Sequence, residues 1–463
     1  MFTGLEIENY KVFKNLKFKM IKANEPKKVV AIYGENGAGK SNIVSAFMNL
    51  SLSLRTVETQ KQWTEIQTQV AADKSLNEDG NNRIPESMLT FIRSGSMNYR
   101  QLSQIFNRST HMIGTTAPMR IRYDFEFDGH SGYYELLFEI DRNDKMYLAS
   151  ETLYYLIHRS SGKLFEIKSS SAGDINYVWS PTLFKNNEIG TLIDDSVERL
   201  WGTHTFLSIL TSFVADTNQK YIKKNISSNL LKVIANFGKI AFRTDMATGV
   251  NSFNSMLGDL NQGQLKKTSE NEQRLAVTKR ALNQYFVPLY SDILEVFYRV
   301  KTDNDKLDYR LFVRKRVGGQ QLTIPFDLES NGTKKLLNLL PLFLNVVRGE
   351  TVIIDEIDQG IHDLLIDRLI DNLQEDISGQ LIVTTHDTQV MRQLDLSALY
   401  VIQTDVEGNK QVVNLSKASK ENIAAHNNVQ KMYLNGYFSG IPYADDVDFY
   451  DILSTLGDST DDE

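Results

Sequence analysis

The chain runs to 463 residues, of which 41% are hydrophobic and 24% charged, enough apolar material to bury a large core and to exclude a mostly disordered protein. It holds no cysteine, which excludes disulfides, cysteine-ligated zinc and thiol catalysis. Lys and Arg number 51 against 58 Asp and Glu, so the net charge of −7 argues against a wholesale nucleic-acid coat while leaving room for a local basic patch.

The opening residues Met1-Phe2-Thr3-Gly4-Leu5-Glu6-Ile7-Glu8 lack the charged-then-apolar layout of a secretory leader. No apolar run reaches the ~18 residues of a membrane span, so no membrane association and a cytoplasmic location are expected. Leu5, Ile7, Val12, Phe13, Leu16, Phe18 and Met20 alternate in strand fashion. Lys28 to Tyr33 is apolar on both faces, as a central strand covered by helices would be, and it runs straight into Gly34. Helical spacing follows over Asn42 to Leu54. Residues 57–115 are polar and read as an insertion. Ile121, Tyr123, Phe125 and Phe127 alternate with charged residues and begin an antiparallel meander that continues through Tyr133–Ile140, Met146–Ile157 and Leu164–Ile167.

From about Gly190 to Ser291 helical signals dominate, and the stretch is expected to be a helical insertion or arm. Strands return at Leu294–Lys301, Tyr309–Lys315 and Gln321–Phe326, then a helix from about Thr333 to Val347 with Pro341 inside it. Two buried strands, Thr351–Asp355 and Gln380–Thr384, flank a helix over Leu364–Leu373. The division expected is an N-terminal lobe over 1–190, the helical segment over 191–291 and a C-terminal lobe over 292–463. Asp458 to Glu463 reads as a solvated acidic tail, and Asp446-Val447-Asp448, which follows no buried strand, as tail chemistry rather than a metal pair.

Gly34-Glu35-Asn36-Gly37-Ala38-Gly39-Lys40-Ser41 matches the phosphate-binding loop in full, between a buried strand and a helix start as the motif requires. Gly37 and Gly39 let the backbone turn its N–H groups onto phosphate, and the positive end of the following helix stabilises the anion. Lys40 can reach the β- and γ-phosphates of ATP and Ser41 can ligate Mg²⁺. Val352-Ile353-Ile354-Asp355-Glu356 is an apolar strand ending in two acids, which are costly there unless they meet a metal or solvent. Asp355 is placed to hold Mg²⁺ and Glu356 to act as general base on the attacking water. Leu381 to Thr385 is a second buried strand, capped by His386. Glu329-Ser330-Asn331-Gly332-Thr333 opens a helix just before the acid strand, and a Ser followed by Gly at a helix start is another natural anion site.

The order Gly34–Ser41, Ser330–Thr333, Asp355-Glu356, His386 resembles the cassette-type ATPase heads of the SMC, RecF and OLD (overcoming lysogenisation defect) proteins. Asn36 and the opening Ile7-Glu8-Asn9-Tyr10-Lys11-Val12-Phe13 are similar to that branch. Asp355 to His362, with a His six residues after the Glu, and the tail Tyr433 to Pro442 resemble the stand-alone OLD-like ATPases of prokaryotic defence operons. The resemblance implies an α/β fold, an ABC-type P-loop head with an antiparallel β subdomain and a helical insertion. It implies ATP and Mg²⁺ as cofactors, His386 as the γ-phosphate sensor, and Ser330 and Gly332 as a signature segment capping the nucleotide of a second copy. The segment reads Ser-Asn-Gly-Thr where the family pattern is Ser-Gly-Gly-Gln.

Heads of this kind work as dimers or higher homo-oligomers. The relatives include ATPase halves of two-gene anti-phage systems of the PARIS, AbiL and septu kinds, which act with a separate nuclease or toxin effector. The expected function is therefore a dimeric ATPase that senses a trigger, such as DNA or a phage protein, and controls an effector. The alternative is a DNA-binding repair ATPase of the RecF or SMC kind. A transporter cassette is disfavoured by Asn36 and the tail.

Overall fold

In the computed structural model, which describes residues 1–76, 98–170, 173–418, 429–441 and 445–456, two seven-stranded sheets share one core through the helix that follows the glycine loop. The first sheet is antiparallel throughout and runs, edge to edge, Ile175–Trp179, Ser161–Ser169, Met146–Leu156, His130–Ile140, Met119–Phe127, Phe2–Tyr10, Phe13–Lys19. Its sequence alternation is the reason: Met119, Ile121, Tyr123, Phe125 and Phe127 are buried while the charged residues between them stay at the surface. On that outer face Arg120 bridges Glu6, Glu8 and Glu135 at 3.2, 2.7 and 2.9 Å, tying three adjacent strands together.

The second sheet holds Thr248–Gly249, Ile240–Arg243, Thr351–Ile354, Gln380–Thr384, Val29–Tyr33, Leu399–Thr404 and Lys410–Asn414 in that spatial order. The five inner strands are mutually parallel. These strands are apolar on both faces because both faces are covered. Val30, Ile32, Ile353 and Ile382 meet Ile43, Phe47 and Leu50 of the helix Lys40–Ser53 and the first sheet. Ala31, Tyr33, Val352, Ile354 and Val383 meet Leu336, Leu339 and Phe343 of the helix Asn331–Val347 and Ile366 and Ile370 of Asp363–Asp376. Gln380, fully buried, fastens the two sheets: it accepts from the Phe2 amide at 2.8 Å and donates to the Phe2 and Lys27 carbonyls at 2.8 and 2.9 Å.

A third, four-stranded antiparallel sheet comprises Gln262–Lys266, Lys306–Val317, Ile293–Asp303 and Gln320–Pro325. The helix Ser269–Leu289 packs on it through Leu282 and Phe286.

The expected helical insertion over 191–291 needs correction. Helices Asn187–Leu200, Phe206–Asp216, Gln219–Asn225, Ser228–Phe237 and Ser269–Leu289 are present, but the strands Ile240–Arg243 and Gln262–Lys266 interrupt them. Ile240–Arg243 is an inner strand of the parallel sheet, paired with Thr351–Ile354. Four residues are too short to show a strand period, and long-range pairing decides their state. The edge strand Ile175–Trp179 extends the expected meander. Within 57–115, residues up to Leu76 belong to the helix Thr56–Leu76, and 77–97 lie outside the described residues. Asp448 caps the short helix Phe449–Thr455 by accepting from the Tyr450 and Asp451 amides, and the acidic end 458–463 lies outside the described residues. Among the described residues no helix is long and apolar enough to cross a membrane.

Candidate nucleotide site

Parallel pairing aligns the carboxyl ends of three neighbouring strands. Thr384 lies opposite Ile32, and Val383 opposite Ile354. Gly34 to Ser41, the Asp355-Glu356 pair and the Thr385-His386 turn therefore emerge side by side at one edge of the sheet, where open α/β sheets bind ligands.

The loop geometry follows from its glycines. Gly37 and Gly39 have φ of 76° and 108°, conformations that side chains disfavour. A Cβ on Gly39 would also stand 2.8 Å from the Phe13 ring and 2.9 Å from Val12. The helix Lys40–Ser53 starts immediately after, so its unpaired amides and positive end face the loop. Lys40 is 6% exposed and folds back to donate to the Gly34 and Glu35 carbonyls at 2.8 and 3.1 Å. Burial pulls its pKa down, while Glu356, Asp355, Asp358 and Glu35 pull it up. Asn36 and Gly37 are exposed, Ala38 is buried, and Ser41 is exposed on the first helical turn. Lys410 donates to the Gly37 carbonyl at 2.8 Å and so braces the loop from the edge hairpin.

The two acids are held by one hydroxyl. Thr384 Oγ1 donates to Asp355 Oδ1 at 2.5 Å and accepts from the Glu356 amide at 2.8 Å. Glu356 has a φ of 45°, a left-handed conformation that a non-glycine residue adopts at a cost. Asp358 accepts from the His386 amide at 3.2 Å through Oδ2. His386 is exposed; burial of part of its ring and the Lys40 charge lower its pKa, and Asp358, Glu356 and Asp355 oppose them. Lys40, Asp355, Glu356, Asp358 and His386 thus form one electrostatic cluster.

Asp355 and Ser41 offer carboxylate and hydroxyl oxygens, the hard donors that suit Mg²⁺. Among the described residues no group of three or more His, Cys, Asp or Glu could cage a metal.

Ser330 caps the helix Asn331–Val347, its Oγ accepting from the Thr333 amide at 3.1 Å and sharing a 2.8 Å hydrogen bond with the Thr333 hydroxyl. A Cβ on Gly332 would fall 2.7 Å from the Gly360 carbonyl. The helix start is therefore pressed against the turn that follows Glu356. His362 caps the helix Asp363–Asp376 through Nδ1, which accepts from the Leu364 amide at 3.3 Å.

Further residues border the glycine loop and the acid pair beyond the candidate site residues named from the sequence. Lys11 lies in the turn between the first two strands, donates to Ser45 Oγ at 2.9 Å and feels the Asp355 charge. Thr384 looked like any strand residue. The tail segment packs on the glycine loop: Tyr433 meets Tyr33 edge-on at 5.8 Å, and a Cβ on Gly440 would lie 2.4 Å from Val401 and 3.7 Å from the Gly34 Cα. Asp387 is 5% exposed, and among the described residues its Oδ2 meets no hydrogen-bond partner, nor does Asp358 Oδ1. Burial and the neighbouring Asp363, Asp358 and Asp367 push the Asp387 carboxyl up to about 6.

Known proteins are similar to this chain in part. No curated protein sequence matches it. Among solved structures, an SMC head bound to the C-terminal winged-helix domain of ScpA aligns over 90% of this chain and 99% of its own, at 14% identity and a TM-score of 0.44. An SMC head domain from Thermotoga maritima covers 89% and 98% at 15% identity, TM-score 0.35. A Pyrococcus furiosus SMC head with an extended coiled coil, bound to the C-terminal domain of ScpA, covers 89% and 95% at 13% identity, TM-score 0.39. Residues 228–392 match the family described as "AAA domain, putative AbiEii toxin, Type IV TA system". That stretch, 165 of the 463 residues, takes in Ser330, Asp355, Glu356 and His386 but not the glycine loop.

Proposed function

We propose that this protein binds ATP with Mg²⁺ in the Gly34–Ser41 loop and hydrolyses it. The observation that carries the reading is the grouping of Lys40 with Asp355, Glu356, Asp358 and His386 at adjacent strand ends. Lys40, free to swing from the Gly34 and Glu35 carbonyls, holds the terminal phosphates. Ser41 and Asp355 would hold Mg²⁺, which neutralises phosphate charge when bound. Glu356 takes the proton of the attacking water, and His386 orients the γ-phosphate. Water must reach Glu356, which is half-buried and lies on the lining of an open groove.

The same reading makes the working unit a dimer of heads. Ser330 and Gly332 open a helix in the manner of a signature segment, and a second copy would bring that helix start over the nucleotide. The resemblance to stand-alone defence ATPases, and the family description's mention of a toxin system, support an assignment to a two-component system in which nucleotide state controls a separate nuclease or toxin. The experiment is phosphate release from purified wild-type and Glu356→Gln protein, with size measured with and without ATP. Turnover in the wild type, lost in the variant, is expected together with an ATP-dependent dimer. Equal turnover in the two proteins removes Glu356 as the base, and a monomer at saturating ATP removes the shared site.

A further inference from the structure

We propose that the outward face of the four-stranded sheet binds single-stranded nucleic acid. Along Lys306–Val317 the inner residues Leu307, Tyr309, Leu311 and Val313 are buried, so Asp308, Arg310, Phe312, Arg314 and Arg316 share the opposite face. The neighbouring strand adds Phe297 opposite Phe312, Arg299 opposite Arg310 and Lys301 opposite Asp308. The two phenylalanines are half-buried and stacked, with ring centroids 6.1 Å apart. Arg299 lies 4.3 Å over the Phe312 ring and Arg314 5.6 Å over Phe297.

Charge on this face is unbalanced in a chain whose net charge is −7. Arg310 is paired with Asp327 at 2.7 Å and Arg314 with Glu295 at 3.2 Å. Among the described residues Arg299, Lys301 and Arg316, all exposed, have no carboxylate within ion-pair distance. Exposed cations interleaved with aromatic rings on an antiparallel sheet suit a polynucleotide strand: the cations meet phosphates, and the rings and guanidinium planes stack on unpaired bases. An acidic protein would satisfy the cations but would have no use for the stacked rings. A duplex hides its bases from them.

Part of this face lines a groove of about 1470 Å³ whose other walls carry Arg243 and Lys335 together with the carboxylates of Asp245, Asp259, Asp355 and Glu356. Lys335 is held by the Gln359 carbonyl and side chain at 2.8 and 3.0 Å. A strand in the groove would pass beside the turn that carries Glu356. That last relation rests on the ATPase reading; binding to the sheet does not.

The test is fluorescence anisotropy with labelled oligo-dT and oligo-U of about thirty nucleotides, with and without ATP, in 50 to 200 mM salt. The variants are Arg299→Ala/Lys301→Ala/Arg316→Ala and, separately, Phe312→Leu. Wild type is expected to bind one or both oligomers, and the triple variant to bind at least tenfold more weakly. Its log K against log salt slope should be smaller by about 2, from ~0.7 per phosphate lost on a single strand. Phe312→Leu should weaken binding with the slope unchanged. ATP binding and thermal midpoint measured on the same samples report folding separately. The proposal is overturned by no binding of either oligomer at 50 mM salt to protein that binds ATP. It is equally overturned by a duplex binding as tightly, by displacement with polyglutamate of matched charge, or by a triple variant that binds like wild type.

Discussion

The hydroxyl of Thr384 donates to the Asp355 carboxylate at 2.5 Å, across two neighbouring parallel strands. The same oxygen accepts from the Glu356 amide at 2.8 Å, so one side chain holds the Asp355 carboxylate and the Glu356 backbone. Asp355 and Glu356 can serve different roles although they are adjacent in sequence: one lies in line with its strand and the other is turned off it at a φ of 45°.

Thr384→Val is therefore expected to reduce ATP turnover by more than tenfold and to destabilise the fold by about 1–3 kcal/mol, since it strands a carboxylate oxygen and an amide. Thr384→Ser should restore most of both. Phosphate release and a thermal melt on the same preparations check it; wild-type turnover in Thr384→Val disproves the positioning role.

Lys40→Ala should lose nucleotide affinity while the protein stays folded, because the lysine's own contacts are to two loop carbonyls that solvent can reach once it is gone. Glu356→Gln should keep affinity and lose turnover. Isothermal titration with ATP separates the two outcomes, and equal affinity loss in both variants would count against their different roles.

Gly332→Ala places a methyl 2.7 Å from the Gly360 carbonyl, closer than real Cβ contacts come. Overpacking of this kind typically costs about 1–3 kcal/mol. The expected result is a lower thermal midpoint and a displaced 359–361 turn, hence lower turnover as well. An unchanged midpoint would show that the helix start can give way freely. Asn331→Ala, one residue earlier and leaving the Ser330 cap in place, should be much milder.

Burial, with Asp363, Asp358 and Asp367 nearby, pushes the Asp387 carboxyl from its ordinary value of 3.8 up to about 6. A folded pKa above the unfolded one means that the folded state binds the proton more tightly. The contribution is fully present below pH ~3.8 and is lost as pH rises through ~6, amounting to roughly 3 kcal/mol at most. Asp387→Asn should remove this slope and raise the thermal midpoint at pH 7. Melts between pH 4 and 7.5 measure it, and a variant less stable than wild type at pH 7 would contradict the burial cost.

The candidate site residues are legible in the sequence where the chemistry is local and hidden where it is relational. Gly37, Gly39, Lys40 and Ser41 were legible because a strand, three glycines and a helix start form a cradle by themselves. Asp355, Glu356 and His386 were legible from apolar strands ending in polar residues. Thr384 and Lys410 were not, because a threonine and a lysine inside strands carry no pattern until another segment arrives beside them. The strand Ile240–Arg243 was hidden for the same reason: Ile-Ala-Phe-Arg is four residues between helices, and only pairing with Thr351–Ile354 makes it a strand.

What the amino-acid order alone determined is the phosphate cradle, the acid and histidine strand ends, and the alternation that makes one sheet antiparallel and half-exposed and the other buried on both faces. These follow from backbone freedom at glycine and from side-chain period, which act within a few residues. What the tertiary structure decided is the parallel register that sets Thr384 between Asp355 and Glu356, the docking of Tyr433 and Gly440 against the glycine loop, and the arrangement of Arg299, Phe297 and Phe312 on one face. Each joins segments distant in sequence, and burial and hydrogen bonding between them, rather than local preference, select the arrangement.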